Sequence, residues 1–237
     1  MSNKWQYIWS KKNLSKYDKL DLESLIKIDG FDTGVGSYTT KAWKIMVRDM
    51  CNRFGLKECS NVMEIGCGGG AFIYAANDIV KANWYGVDYS GNLINIAKKA
   101  IPRGHFILDE AINTNFTDTK FDVVFSHSVF QYFPSELYAE NVLRNWCAKI
   151  KRNGCLALLD INDFDKQQIY HLERAKNYNS PDEYAKAFRD LNHLFFRKEK
   201  LSTLLKSIRM SNIEFFPHAT PDYGNSKFRF NLICRKN

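Results

Sequence analysis

Two hydrophobic periods alternate along the chain. Short runs rich in Val, Ile, Phe and Tyr predict strands over 62–66, 84–88, 104–108, 121–126 and 155–161. Between them, apolar residues spaced by three and four predict helices over 71–81, over 91–100 behind the cap Ser90, and from the cap Ser135 to Gly154 with Ala139, Val142, Leu143, Trp146 and Ile150 on one face. Strand and helix in strict alternation is the signature of a parallel sheet, here with five strands. Upstream, Leu14, Tyr17, Leu20, Leu25 and Ile28 have loosely helical spacing over 13–29. A glycine-bearing loop follows, Gly30 to Ser37, and then a helix that Ser37 caps and Gly55 closes. Downstream of 161 the alternation breaks. Helical runs over 164–176 and, after Ser180-Pro181-Asp182-Glu183, over 182–191 read as an inserted helical lid spanning 162–197. A helix through Leu201, Leu204, Leu205 and Ile208, a strand over 213–216, and Phe228, Phe230, Leu232 and Cys234 in period two close the chain as a β-hairpin. A length of 237 residues fits a single domain, 1–237, with residues 1–37 as an N-terminal cap segment.

Composition narrows the class. With 45% hydrophobic and 25% charged residues, the chain reads as an ordinary globular protein. No stretch approaches a membrane span, and Met1 to Lys12 lacks an apolar signal region, so the expected compartment is the cytoplasm. Cys51, Cys59, Cys67, Cys147, Cys155 and Cys234 stand singly, without zinc spacing, and read as buried free thiols with no metal site. The net charge of +8 and a pI near 9.1 favour an acidic partner, whether nucleic acid, a membrane surface or a phosphorylated metabolite, with a merely solvated basic surface as the alternative because the basic residues are spread along the chain.

Candidate chemistry gathers at Glu64-Ile65-Gly66-Cys67-Gly68-Gly69-Gly70, where an apolar strand runs into a glycine turn and then a helix. Glycine here brings backbone close to a ligand. Gly66-x-Gly68-x-x-Ala71, with Asp88 about twenty residues on, also satisfies the dinucleotide fingerprint. The turn alone therefore allows two cofactors.

The acidic residue that opens the turn resembles the first motif of class I S-adenosylmethionine-dependent methyltransferases, carried here by Glu64, Gly66, Gly68 and Gly70. Asp88 stands for that family's acidic end of the second strand. His105 to Ala111 and Phe121 to Ser126, continued by His127 to Phe133, look like its third and fourth motifs. The resemblance covers residues 38–161 by motif and the rest by layout. It implies an α/β fold with a seven-stranded, mostly parallel sheet in the order 3-2-1-4-5-7-6, the last strand antiparallel, with helices on both faces.

It also implies roles, with S-adenosyl-L-methionine as cofactor. Asp88 would accept the ribose hydroxyls beside Tyr89, and Glu64 would attract the α-ammonium. Backbone of Gly66, Cys67 and Gly68 would meet the methionine part, and Tyr38 is a further candidate for cofactor binding. Asp109, Glu110 and Ala111 would read adenine, unless Asp109 merely caps the next turn. Ser126 would lie beside the methyl group. His127, at the carboxyl edge where open α/β sheets bind ligands, is the candidate catalytic base, with an ordering role in the loop as the alternative. His171 and His218 are weaker candidates. Gln131, Tyr132, Asp160, Tyr223 and Arg229 are expected on the substrate side, and the basic balance together with Arg229 and the lid arginines points to a small anionic acceptor, nucleotide-linked or phosphorylated, methylated on oxygen or nitrogen. A nucleic-acid or protein methyltransferase is the enzyme alternative. Nucleic acid is disfavoured, since Ser126-His127-Ser128-Val129 replaces the [D/N]-P-P-[Y/F] turn. A NAD-dependent oxidoreductase and a non-catalytic cofactor-binding protein are the alternatives from other classes.

Overall fold

A strand covered on both faces must be apolar at successive positions, because its neighbours leave neither face to water. Val62, Met63 and Ile65 are fully buried, and Leu156 to Leu159 are buried to within 1% of complete. These strands form the middle of the sheet. The computed structural model describes residues 4–13, 19–32, 36–116, 118–189, 191–220 and 222–237. Its strands are β1 (Asn61–Ile65), β2 (Asn83–Asp88), β3 (His105–Leu108), β4 (Phe121–His127), β5 (Ile150–Asn162), β6 (Met210–Pro217) and β7 (Arg229–Lys236). They form one sheet in the order β3-β2-β1-β4-β5-β7-β6. The pairs among β1 to β5 are parallel, and β7 runs antiparallel to β5 and β6. This is the order the methyltransferase resemblance implies.

The helices are α1 (Lys4–Ser10), α2 (Leu22–Ile28), α3 (Thr40–Phe54), α4 (Ala71–Asn77), α5 (Gly91–Ala100), α6 (Glu136–Lys149), α7 (Gln167–Ala175), α8 (Pro181–Phe188) and α9 (Lys198–Ser207). Helices α2 to α5 pack with Val62, Phe125 and Ala157 on one face of the sheet. Helices α6 and α9 pack with Met63, Val124 and Leu158 on the other. Alternate residues of one strand thus feed two cores. Among the described residues, no helix is long and apolar enough to cross a membrane.

Local differences from the sequence reading have local causes. Helix α2 begins only at Leu22, where the Asp21 carboxylate accepts from Ser24 N at 2.9 Å. Leu14, Tyr17 and Gly34 lie outside the described residues. Thr39, not Ser37, caps α3, its hydroxyl accepting from Ala42 N at 3.1 Å. Helix α6 ends at Lys149, and β5 starts directly, with Asn153 at φ 62° and a register jump opposite Phe121 to Val123. Gly154 belongs to that irregular entry, where a Cβ would press on Lys151 O at 2.9 Å and Asp122 O at 3.0 Å. Cys59 is exposed, while the other five thiols are buried.

The antiparallel hairpin determines where the site lies. Because β7 runs backwards, its first residue Arg229 pairs with Asn162 at the end of β5. It therefore stands on the same edge as the carboxyl ends of β1, β2 and β4.

Candidate active site

Strand β1 must reverse into α4, and the turn 66–70 does this with Gly66 at φ +71° and Gly68 at φ +54°. At Gly66 a Cβ would lie 2.5 Å from Val129 Cγ2, so the loop after β4 can approach only a glycine. Every amide of the turn is satisfied within the chain. Gly66 N and Cys67 N donate to Val87 O at 2.8 and 3.0 Å, and Gly70 N donates to Cys67 O at 2.9 Å. Gly68 N donates to Asp88 Oδ2 at 3.0 Å, while Gly69 N and Ala71 N donate to the two oxygens of Asp29 at 2.6 and 3.0 Å. The donors that would cradle a pyrophosphate are thus taken by backbone carbonyls and by the carboxylates of Asp29 and Asp88, which counts against the dinucleotide alternative.

Three acidic side chains, Asp29, Glu64 and Asp88, line one cavity of about 260 Å³ at this edge. Burial pushes Asp88 up to about 6 and Glu64 well above the usual carboxylate range. Asp88 is fixed by Ser90 N on Oδ1 at 2.8 Å and Gly68 N on Oδ2, which leaves each oxygen a further lone pair for a hydroxyl. Glu64 is 4% exposed, and its Oε2 has no hydrogen-bond partner. An orphaned buried carboxyl oxygen beside two more carboxyls fits a ligand that brings positive charge and hydroxyl donors. S-adenosylmethionine has both, so the residues present fit that cofactor.

On the other half of the edge, β4 ends in His127, whose ring packs against Phe31, Trp43 and Phe72 at centroid distances of 5.4, 5.2 and 6.0 Å. That burial pushes its pKa down to about 4, so the imidazole is neutral at physiological pH, and its Nε2 has no partner. Beside it Arg229, 7% exposed, holds Nε 3.7 Å from Asp160 Oδ1, within ion-pair range but too far for a hydrogen bond. Arg229 Nε and Nη1 have no hydrogen-bond acceptor. Burial works against both charges, and each holds the other ionised: Asp160 stays below the usual carboxylate range and Arg229 above the usual guanidinium range. Asp160 sits at φ 58° in an irregular stretch of β5, with its N donating to Asn231 Oδ1 at 2.9 Å and its Oδ2 accepting from Tyr223 OH at 2.9 Å. A non-glycine residue in that strained conformation is over-determined by its surroundings.

The cavity gathers most of the candidates. Glu64, Gly66, Cys67, Gly68, Asp88 and Tyr89 line it, as does Ala111, whose carbonyl accepts from Trp146 Nε1 at 2.7 Å. His127, Tyr132, Tyr223 and Arg229 line it from the β4 and β7 side. Six candidates are placed off its wall. Tyr38 turns its hydroxyl to His218 Nε2 at 3.1 Å. Asp109 spends its carboxylate on Glu110 N, Asn113 and Asn115, the capping alternative, and Glu110 takes Gln6 and Tyr138. Ser126 and Gln131 are fully buried, Gln131 donating to Ser128 Oγ at 2.8 Å. Asp160 lies behind Arg229 and Tyr223. Of the weaker histidines, neither His171 nor His218 lines the cavity.

Several lining residues carry no local signal. Trp5 of α1 stacks on His193 at 4.8 Å, and Trp9 meets Tyr132 edge-on at 5.5 Å, so α1 covers the cavity. Arg174 of α7 donates to Tyr170 OH at 2.8 Å, and Tyr170 OH meets His193 Nδ1 at 2.9 Å. Arg174 of α7 and His193, in the stretch between α8 and α9, both line the cavity, so the segment between β5 and α9 contributes to its wall.

Residues 63–158 match the methyltransferase-domain family. The chain is 24% identical over 162 residues to phosphoethanolamine N-methyltransferase of Plasmodium falciparum, covering 67% of this chain and 56% of that protein. It therefore spans little more than half the length of that relative. Among solved structures, an S-adenosylmethionine-dependent methyltransferase from Clostridium acetobutylicum superposes with a TM-score of 0.60 at 12% identity, covering 84% of this chain and 93% of its own. Phosphoethanolamine N-methyltransferase 2 of Haemonchus contortus, in complex with phosphomonomethylethanolamine and S-adenosylhomocysteine, gives 0.62 at 14% identity, covering 85% of this chain and 53% of its own.

Proposed function

We propose that this chain is a class I S-adenosylmethionine-dependent methyltransferase, a reading supported by its match to the methyltransferase domain at 63–158 and by its sheet order, and that it methylates an oxygen or nitrogen of a small polar, anionic acceptor. The observation that carries the acceptor class is Arg229, buried at the cavity wall with Nε and Nη1 unpartnered. A buried guanidinium with unused donors is costly unless a ligand completes it, and carboxylate or phosphate oxygens match its geometry. Arg174 adds a second cation on the same wall. The similarity to a phosphoethanolamine N-methyltransferase supports an acceptor with a phosphate group.

In this reading the chain's two halves divide the work. Asp88, Glu64 and the glycine turn hold the cofactor over β1 and β2. Arg229 and Arg174 hold the anionic end of the acceptor over β5, β7 and α7. When bound, S-adenosylmethionine supplies an electrophilic methyl group on a cationic sulfur with a neutral sulfide as leaving group. Alignment of the acceptor is then the chain's main contribution. His127, neutral and with Nε2 open, takes up a proton there only when that proton becomes strongly acidic, as it does while the new bond forms, because a base with a pKa near 4 does not deprotonate a free hydroxyl or ammonium in advance.

The test is turnover of methyl-labelled S-adenosylmethionine with phosphorylated amines and alcohols beside their unphosphorylated counterparts. The phosphorylated members are expected to be preferred, and Arg229→Ala to abolish the preference. Equal turnover of both sets, unaffected in the variant, would overturn the anionic class.

A further inference from the structure

We propose that Asp29 is a positioning residue of the cofactor site: as a carboxylate it clamps the glycine turn from the N-terminal segment, and cofactor binding draws it into that ionised form. The proposal rests on the S-adenosylmethionine reading above.

Asp29 ends α2, forty positions before the turn in sequence, yet both its oxygens are committed there, Oδ1 to Gly69 N at 2.6 Å and Oδ2 to Ala71 N at 3.0 Å. An ionised carboxyl offers both N-H groups a full acceptor, whereas a protonated one turns one oxygen into a donor and a weaker acceptor. The same contact accounts for glycine at two positions. A Cβ at Gly68 would press on Asp29 Oδ1, and one at Gly69 would lie 3.2 Å from it. Part of the glycine signature therefore serves the approach of Asp29, in addition to that of a ligand.

Its surroundings oppose its charge. Asp88 from β2 faces it with like charge, and Glu64 from β1 and the Cys67 thiol lie in the same field. Lys12 is the opposing cation, and the two N-H groups favour the anion. Burial prevails over these and pushes Asp29 up to about 7, so a substantial fraction carries a proton near neutral pH in the cofactor-free protein. A cationic ligand in the cavity that Asp29 lines reverses the balance: the carboxyl ionises, its proton leaves to solvent, and the turn amides gain their full acceptor. The sign follows. A ligand that favours the ionised form binds more tightly as pH rises towards 7.

The experiment follows the amide resonances of Gly69 and Ala71 in the isotope-labelled full chain against pH, without and with S-adenosylmethionine, beside calorimetric titration of the same cofactor into wild type and Asp29→Asn. Both amides are expected to titrate with a midpoint near 7 in the free protein, and the midpoint to fall by at least about one pH unit on binding. Asp29→Asn is expected to lose about tenfold in affinity and to release fewer protons on binding, since an uncharged amide replaces a charge-assisted acceptor. An unshifted midpoint, or a folded Asp29→Asn protein with wild-type affinity and proton release, overturns the role of Asp29 and leaves the cofactor reading standing. Absence of S-adenosylmethionine binding by the wild type overturns the cofactor reading and this proposal with it. If Asp29→Asn does not fold, the amide titration of the wild type decides alone.

Discussion

Replacing Arg229 by methionine separates its place in the fold from its place in the site. Arg229 Nε lies 3.7 Å from Asp160 Oδ1, with the two residues 7% and 0% exposed. At an effective dielectric of about 20, that separation corresponds to an attraction of about 4 kcal/mol, in line with the roughly 3–5 kcal/mol lost when one partner of a buried pair is removed. Arg229→Met leaves Asp160 as an uncompensated buried anion and is expected to lower unfolding stability by that amount. In Arg229→Met/Asp160→Asn the anion is gone, the amide oxygen still accepts from Tyr223 OH, and most of the stability is expected to return. Affinity for a phosphorylated acceptor is not expected to return, because the donors are still missing. Urea unfolding gives the first quantity, and calorimetry with acceptor in the presence of S-adenosylhomocysteine gives the second. A double variant that recovers both stability and acceptor affinity would refute the binding role and leave Arg229 purely structural. A single variant that loses under about 1 kcal/mol would refute the electrostatic reasoning itself.

Two further outcomes follow from the same geometry. Asp88→Ala removes the acceptors for two hydroxyl donors and is expected to weaken S-adenosylmethionine at least about a hundredfold, each charge-assisted hydrogen bond being worth about 1.5–3 kcal/mol; calorimetry checks this beside a thermal melt, and unchanged affinity would refute the ribose role. His127→Gln addresses the buried neutral imidazole: the unfolded chain takes up its proton near 6.5 and the folded one only near 4, so the wild type is expected to lose about 3 kcal/mol more stability than the variant as pH falls from 6.5 to 4. Parallel stability-pH profiles from urea unfolding would refute that burial.

The strands were legible because a buried parallel strand is written locally, in runs such as Val123-Val124-Phe125 and Leu156-Ala157-Leu158-Leu159. Glu64 and Asp88 stand out in the sequence because an acidic residue at the end of such a run has no packing reason to be there, and both line the cavity. What the local pattern does not carry is contact across the chain. Asp29 looks like an ordinary helix end until Gly69 and Ala71 are found on its oxygens. Trp5 and Trp9 lie on a helix too short to show a period. Arg174 is one of several lid arginines that point to an anionic acceptor, and only α7 folding back beside Tyr170 and His193 singles it out. Asp109 shows the opposite case: its position fits the family's third motif, while Asn113 and Asn115, close by in sequence, already donate to its carboxylate.

The central claim, methyl transfer from S-adenosylmethionine to a small anionic acceptor, is tested most directly by incubating the protein with methyl-labelled S-adenosylmethionine and a small-metabolite extract and identifying the labelled product by mass. The account expects label on an anionic metabolite carrying a phosphate or carboxylate group, lost with Asp88→Ala. Label that remains in the cofactor, or that enters RNA, protein or a neutral metabolite instead, would contradict it.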